Sequence, residues 1–204
     1  VLFRSPRDVK RVRGTDFGRS SGQRMREILG YTPIEPDGSV KFKVPADTPV
    51  AISVVDSSGQ RIGGRHRQWL TVRPGETLEC NGCHSSNSVQ PHGRPSLEAA
   101  SINTGAPEDG VKFSNTNGDI IPSFGQTMAE AQAMVNGLRQ LTPQLTYSDI
   151  WADSSVTTPS ADIILNYQDL TSSHPNGADC FSQWSAYCRV QINYPEHIHP
   201  IWLV

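Results

Sequence analysis

Five consecutive residues, Cys80-Asn81-Gly82-Cys83-His84, constrain this chain more than any other feature, because they predict a covalently bound group. Two thiols separated by two residues and followed at once by an imidazole have the spacing of c-type haem attachment. Each thiol can bond to one vinyl group on neighbouring pyrrole rings, and the histidine that follows can then reach the iron. We therefore predict haem c, attached to Cys80 and Cys83, with His84 as the proximal iron ligand.

Two other chemistries use a cysteine pair at this spacing. A structural zinc site needs four ligands, which Cys80, Cys83 and two histidines could supply. The other two cysteines, Cys180 and Cys188, do not have zinc-ribbon spacing. A thioredoxin-like redox pair needs a βαβ setting, whereas a β-rich segment precedes this motif and a polar loop follows it. Zinc therefore stays open as the alternative cofactor.

The residues before the motif alternate between turns and short apolar runs. Two turn sequences and three strand-like runs follow one another: PDG at 36–38, SVKFKV at 39–44, VAISVVD at 50–56, SSGQ at 57–60 and QWLTV at 68–72. Fifteen prolines and seventeen glycines in 204 residues disfavour a helical bundle. We predict a mostly β protein with some α structure, in which a β-sandwich-like domain precedes a loop-rich, partly helical haem-binding region.

Four segments are predicted along the chain. Residues 1–30 are expected to be a linker at the start of a fragment, and residues 1–5 (VLFRS) resemble one reading frame of a sequencing-library adapter, so they need not be natural sequence. Residues 31–79 form the β-sandwich-like domain, and residues 80–190 form the haem-binding loop and helical region. Residues 191–204 are expected to begin a truncated, cytochrome-like downstream domain, because the chain stops within an apolar stretch.

The clearest helix signal is TMAEAQAMVNG at 127–137. Thr127 and Glu130 form a capping box, and the closing glycine suits a helix C-terminus. Met128 and Met134 are expected on a shared apolar face that packs in the core, since methionine often fills core gaps. Either methionine is also a minor candidate for an iron ligand.

Three further segments carry weaker signals. GQRMREILG at 22–30 suits either a short helix or a solvated linker. Residues 85–125 are polar and aperiodic, and a connection of that length needs a surface to wrap, which a bulky group beside the cysteines would supply. ADIILNYQDL at 161–170 is an apolar strand or short helix.

Residues 33–84 resemble the middle domain of the hydrazine synthase alpha-subunit family. The resemblance is carried by five features: EPDGS at 35–39, VPADTP at 44–49, a tryptophan at 69, PGE at 74–76 and the C-x-x-C-H motif. A looser likeness continues to CRVQINYPEHIHPIW at 188–202. In such proteins a β-propeller commonly precedes this domain, and a second cytochrome-like domain often follows it.

The resemblance implies haem on Cys80 and Cys83. In the catalytic hydrazine synthase subunit the motif histidine looks to serve a zinc ion, while a tyrosine a few residues later ligates the iron. Here residues 85–92 are SSNSVQPH, without a tyrosine. We therefore expect the ordinary arrangement, with His84 on iron, and the resemblance favours a haem domain over hydrazine synthesis.

The sequence leaves the second axial ligand open. His92, on a loop eight residues after His84, is the first candidate distal ligand, and His66 is an alternative. His197 or His199 could instead serve a haem in a downstream domain. A five-coordinate iron with an open site is a further alternative.

Cys180 and Cys188 suit a disulfide, because c-type haem is attached outside the cytoplasm, where thiols oxidise. A continuous helix would separate their Cα atoms by about 12 Å. A disulfide tolerates no more than about 7 Å. The segment between them must therefore bend if they are bridged, and both are free thiols if it is fully helical.

Charge and hydropathy limit the partners. The formal net charge of −2 gives no electrostatic reason for nucleic-acid binding, and no apolar run is long enough to span a bilayer. We predict a monohaem c-type cytochrome domain of a larger exported protein, periplasmic or extracellular, that exchanges electrons with a redox partner protein or with further haem domains in the same chain. The alternatives are a five-coordinate catalytic haem domain acting on a small nitrogen or oxygen species, and a β-sandwich module that holds zinc.

Overall fold

The computed structural model describes residues 2–4, 27–63, 66, 69–80, 103–116, 118–166, 179–185, 188 and 194–203. Within these ranges the chain forms five short strands, two α-helices and two further helical turns. They are β1 (Leu2–Arg4), β2 (Glu27–Gly30), β3 (Val50–Ile52), α1 (Met128–Asn136), β4 (Leu145–Tyr147), β5 (Ile163–Leu165), α2 (Asp179–Ser182), a π-helical turn (Tyr194–Ile198) and a 3-10 turn (His199–Leu203).

The main sheet has three antiparallel strands in the order β2-β1-β3. The first strand of the chain is the central one, and Leu2 pairs with Gly30 on one side and with Ile52 on the other. Strands β4 and β5 form a separate antiparallel pair. Residues from the segment expected to be a linker therefore supply two of the three strands in the main sheet.

The first core lies on this sheet. Leu2, Leu29, Val50 and Leu141 are buried and in mutual contact. Partly buried side chains pack against them: Phe42, Val44, Ile52, Leu70 and Trp184. Segments far apart in the sequence thus share one hydrophobic core, whose burial is the main favourable contribution to folding.

The second core surrounds helix α1. Met128 and Ala131 pack with Ile120 and Trp151. The ring of Phe113 meets the indole of Trp151 edge to face, with centroids 5.8 Å apart. Ile120 and Phe113, in the described part of the long polar loop, take part in this core, and the expectation that residues 85–125 wrap a bound group stays a prediction.

A close backbone approach fixes that loop. Two backbone hydrogen bonds of 2.8 Å join Ala106 to residues 125 and 126. Ala106 N donates to Gln126 O, and Gly125 N donates to Ala106 O. A Cβ added at Gly105 would overlap the carbonyl oxygen of Gly125. Glycine is required at this point because no side chain fits between the two backbones.

The helix predicted at 127–137 is confirmed, and α1 has the expected capping box of Thr127 and Glu130. The expectation for Met134 is wrong, since its side chain is 76% exposed while Met128 is 4% exposed. Six positions along an α-helix amount to a rotation of about 240°, so the two methionines do not share a face. The packing of Met128 in the second core also removes it as a candidate iron ligand.

Two segments whose sequence signals were ambiguous contain β-strands. Residues 27–30, where a helix was one expectation, form strand β2, because pairing with β1 buries Leu29. Residues 163–165 of the apolar segment form strand β5. The small antiparallel sheets and few helices confirm the coarse class of mixed β and α structure, whereas the sandwich-like arrangement stays a prediction. No helix in the described part of the chain is both long and apolar enough to span a membrane.

Candidate cofactor-attachment site

The chain that leads to the cysteine motif is anchored on the main sheet. Leu70 and Val50 exchange two backbone hydrogen bonds of 2.8 Å, and Asp47 N donates to Val72 O at 2.8 Å. These bonds hold residues 70–72 beside strand β3 and beside Asp47, which precedes that strand. The segment that precedes the motif therefore starts from a fixed position in the fold.

A tight turn then directs the chain outward. Gly75 has a φ of 77°, a left-handed conformation that glycine adopts at little cost. The carboxylate of Glu76 accepts a hydrogen bond of 2.7 Å from Arg73 N, and Glu76 N donates to Arg73 O at 3.0 Å. The PGE element is thus a self-bonded turn at the point where the chain leaves the sheet.

Cys80 lies at the end of this outgoing segment. Its thiol is exposed and is not part of a disulfide. Residues 73–80 are all exposed, and Leu78, two positions before the cysteine, is 48% exposed. An accessible thiol is what the covalent attachment of a group at Cys80 requires.

The rest of the predicted site falls outside the structural description. Cys83, His84 and His92 lie outside the described residues. In the portion of the chain that is described, no three His, Cys, Asp or Glu side chains gather as a metal site. The predictions for haem iron and for zinc at this motif therefore stay predictions.

The EPDGS element binds the start of helix α1. Asp37 Oδ2 accepts a hydrogen bond from Met128 N, and Ser39 Oγ accepts one from Ala129 N, both at 2.9 Å. The next amide, Glu130 N, donates to Thr127 Oγ1 at 3.3 Å. The first three amides of the helix, which have no partners within it, are therefore all satisfied.

The charge of Asp37 suits this position. Burial alone would raise the pKa of the Asp37 carboxyl, but hydrogen bonds from Ser39, Met128 N and Asn103 outweigh it and hold the pKa below its ordinary value. Asn103 Nδ2 donates to Asp37 Oδ2 at 2.6 Å. An anion at the positive end of a helix is also favoured by the helix dipole.

Glu35, in the same element, is a buried carboxylate with two charged or polar donors. Its side chain is 2% exposed. Arg139 Nε donates to Oε1 and Trp151 Nε1 donates to Oε2, each at 2.7 Å. Both oxygens are satisfied, as a buried carboxylate requires. Glu35 thus joins the main sheet region to the core around α1.

The comparisons assign a family to part of the chain. Residues 4–85 match the family model described as the hydrazine synthase alpha subunit middle domain. The predicted resemblance is confirmed over these residues. No curated protein and no solved structure matches the chain. The match contains the EPDGS, VPADTP and PGE elements, and it ends one residue after His84, so it includes the whole C-x-x-C-H motif.

Within the segment that matches the hydrazine synthase alpha middle-domain model, the EPDGS residues act structurally. Glu35, Asp37 and Ser39 all bond to residues beyond position 85, where the match ends. The two contacts of Glu35 span 104 and 116 positions of sequence. Sequence inspection missed these partners because no local pattern links residues so far apart; the only signal was a carboxylate directly before a turn.

The other histidines are spread over the fold. His66 is half-buried beside the end of β3, where its backbone N donates to Ile52 O at 3.2 Å. His199 is exposed, and its ring lies 6.1 Å from that of Tyr194, centroid to centroid. The side chain of His197 lies outside the described residues. The structure thus brings neither His66 nor His199 into a described metal cluster.

Cys180 and Cys188 are brought together. Their Cα atoms are 5.8 Å apart, and their sulfur atoms form a disulfide. Helix α2 ends at Ser182, so the chain bends before Cys188. This confirms the prediction that the chain must bend if the two cysteines are bridged, because a continuous helix would hold their Cα atoms too far apart for a disulfide.

Proposed function

We propose that this chain is a c-type haem-binding domain that carries electrons within a larger exported protein. Cys80 and Cys83 would hold one haem covalently, His84 would be the proximal iron ligand, and His92 is the candidate for the distal one. The observation that carries the proposal is the extent of the family match, which encloses the whole C-x-x-C-H motif and ends directly after it.

The surroundings of Cys80 fit that role. The thiol is exposed and unpaired by any disulfide, as covalent attachment requires, while the Cys180 and Cys188 thiols are already used in a disulfide. The anchored segment ending at Val72 and the turn closed by Glu76 provide a hydrogen-bonded base that directly precedes the motif. Residues 31–79 would form the sandwich-like scaffold for it.

Each chain residue has a separate task in this proposal. When bound, haem supplies a one-electron redox centre at the iron. Cys80 and Cys83 keep the group attached outside the cell, where a dissociable group would be lost. Two histidine ligands would favour a lower potential than a histidine and a methionine.

Export is part of the same proposal. The disulfide between Cys180 and Cys188 supports it, because such bonds persist in oxidising compartments. Electrons would pass to a redox partner protein or to further haem domains of the same chain.

One observation favours a second function. The family match itself points to hydrazine synthase-like chemistry, in which the iron would keep one coordination position open for a small nitrogen or oxygen species. The two functions differ in the ferric spin state. A low-spin spectrum that added cyanide or nitric oxide leaves unchanged favours electron transfer, and a high-spin spectrum that these ligands alter favours catalysis.

The deciding experiment is a pyridine haemochrome spectrum after expression in a periplasm that contains c-type maturation machinery. The parent chain is compared with C80A/C83A, and C180S/C188S serves as the matched control for loss of two cysteines. We expect a c-type band from the parent and from C180S/C188S, and none from C80A/C83A. Absence of the band from all three, with bound zinc in the parent, would replace haem by the zinc module.

A further inference from the structure

The described residues of the loop closed by the Cys180–Cys188 disulfide, 179–185 and 188, form one short helical turn and local hydrogen bonds. Helix α2 is a single turn of four residues, and isolated helices that short are not stable in water. The described bonds within the loop are local ones, such as Gln183 N to Asp179 O at 2.9 Å and Cys188 N to Ser185 O at 3.0 Å. The disulfide is therefore a covalent constraint that joins the two ends of this loop.

One side chain of the loop reaches across to the main sheet. Trp184 Nε1 donates a hydrogen bond of 2.9 Å to Leu29 O in strand β2, 155 positions earlier in the sequence. The indole also packs against the first core, formed by Leu2, Leu29, Val50 and Leu141. Trp184 thus supplies both a polar and an apolar contact between the loop and the sheet.

The receiving carbonyl lies at an irregularity of the sheet. Leu2 pairs with Gly30 and Phe3 pairs with Ile28, so Leu29 is the extra residue of a β-bulge and has no Cα partner in β1. Bulges leave backbone groups outside the regular ladder. The indole of Trp184 is the hydrogen-bond donor that reaches the carbonyl of this extra residue.

We propose that the Cys180–Cys188 disulfide is a redox-controlled latch that holds Trp184 on strand β2. The two sulfurs differ in access, since Cys188 is 4% exposed while Cys180 is only half-buried. A dithiol reductant would attack Cys180 Sγ, and Cys188 would leave as a thiolate that takes up a proton. The second thiol of the reductant then releases Cys180.

The exchange is balanced. The S–S bond between Cys180 and Cys188 is broken, two cysteine thiols form, and the dithiol becomes a disulfide, so two electrons and two protons pass to the protein. Once the disulfide is open, nothing covalent fixes the distance between the two ends of the loop, and a single helical turn is too short to do so. Trp184 then leaves the Leu29 carbonyl, while the core around α1 stays folded. This device does not depend on haem at Cys80.

The test follows individual indole N–H signals by NMR in the full chain, labelled with ¹⁵N-tryptophan and produced without haem attachment. W184F, W202F and W151F assign three of the four tryptophan signals, which leaves the fourth to Trp69. Dithiothreitol is added, and alkylation followed by intact mass counts the two additional thiols. We expect the Trp184 signal to move and its solvent exchange to rise by roughly fivefold or more, which corresponds to a hydrogen bond of about 1 kcal/mol.

Two other indoles serve as internal controls. Trp151, whose N–H bonds to buried Glu35, reports the fold of the second core, and Trp202 is already 74% exposed. Both should keep their signals, and C180S/C188S should show the moved Trp184 signal before any reductant is added. An unchanged Trp184 signal after both thiols are alkylated would overturn the latch. Simultaneous collapse of the Trp151 signal would also overturn it, because the bridge would then support the whole fold.

Discussion

The buried carboxylate of Glu35 offers the sharpest test of how this domain is held together. Glu35→Gln keeps the size of the side chain but replaces one acceptor oxygen by an amide that can only donate. Arg139 Nε and Trp151 Nε1 are both donors, at 2.7 Å from the two oxygens. Whichever way the new amide turns, one donor faces another donor and loses its bond.

The expected cost follows from burial and charge. A hydrogen bond to a charged group contributes about 1.5–3 kcal/mol. Removing one partner of a buried ion pair costs about 3–5 kcal/mol. Because the Arg139 side chain is 23% exposed, water can partly solvate it, which places the cost at the low end. We expect Glu35→Gln to lower the free energy of unfolding by about 3 kcal/mol.

The assay is urea unfolding followed by circular dichroism. With a slope of about 2 kcal/mol per M, the midpoint should fall by about 1.5 M urea. Glu108→Gln, at an exposed carboxylate, is the matched control and should stay within about 0.5 kcal/mol of the parent. A loss below about 1 kcal/mol for Glu35→Gln would refute the argument from two donors.

A double-mutant cycle isolates the indole contact. Trp151→Phe removes the N–H donor, so a glutamine at position 35 can then turn its oxygen to Arg139 without leaving an unpaired indole. We therefore expect the double variant to be less destabilised than the sum of the single changes, by about 1 kcal/mol or more. Strict additivity would show that the Trp151 hydrogen bond does not couple to Glu35.

Two further predictions concern helix α1. Asp37→Asn should lower the free energy of unfolding by about 1–2 kcal/mol at neutral pH, because both carboxylate oxygens accept from donors and the amide nitrogen that replaces one of them cannot accept. Since the pKa of folded Asp37 lies below the ordinary 3.8, the stability it contributes is complete above that value and is lost as the pH falls through the folded pKa. Urea melts of both proteins from pH 7 to pH 2 should therefore converge at the acid end, and a constant gap would contradict this. Met128→Ala should cost about 2–4 kcal/mol, because the residue is buried against Trp151, whereas the exposed Met134→Ala should change thermal stability little. Equal effects of the two methionine changes would contradict the assignment of faces.

Short-range features of this fold were predictable from the sequence. The turns at 36–38 and 57–60 form where glycine permits them, with φ values of 82° at Gly38 and 79° at Gly59. The capping box of Thr127 and Glu130 needs only residues three positions apart. Such features follow from the conformations of a few neighbouring residues, so a linear pattern contains all the information they require.

The candidate site was predictable only in part. The family resemblance could be inferred from the motif and the elements before it, and the match to residues 4–85 confirms it over that segment, whereas only the structure showed that Cys80 is exposed. The distal ligand could not be inferred, because it depends on which histidine the fold brings near the motif. The wrong expectation for Met134 arose for a similar reason, since periodicity over one short helix does not say where the core ends.

By itself, the sequence determined the local conformations, namely the turns and the helix at 127–137 with its cap, and the resemblance of one segment to hydrazine synthase alpha middle domains. Only the tertiary structure decided that Glu35 meets Arg139 and Trp151, and that Trp184 binds the carbonyl of Leu29. The physical reason is separation along the chain. These contacts join residues more than a hundred positions apart, and their energy comes from burial that exists only once the two cores have formed.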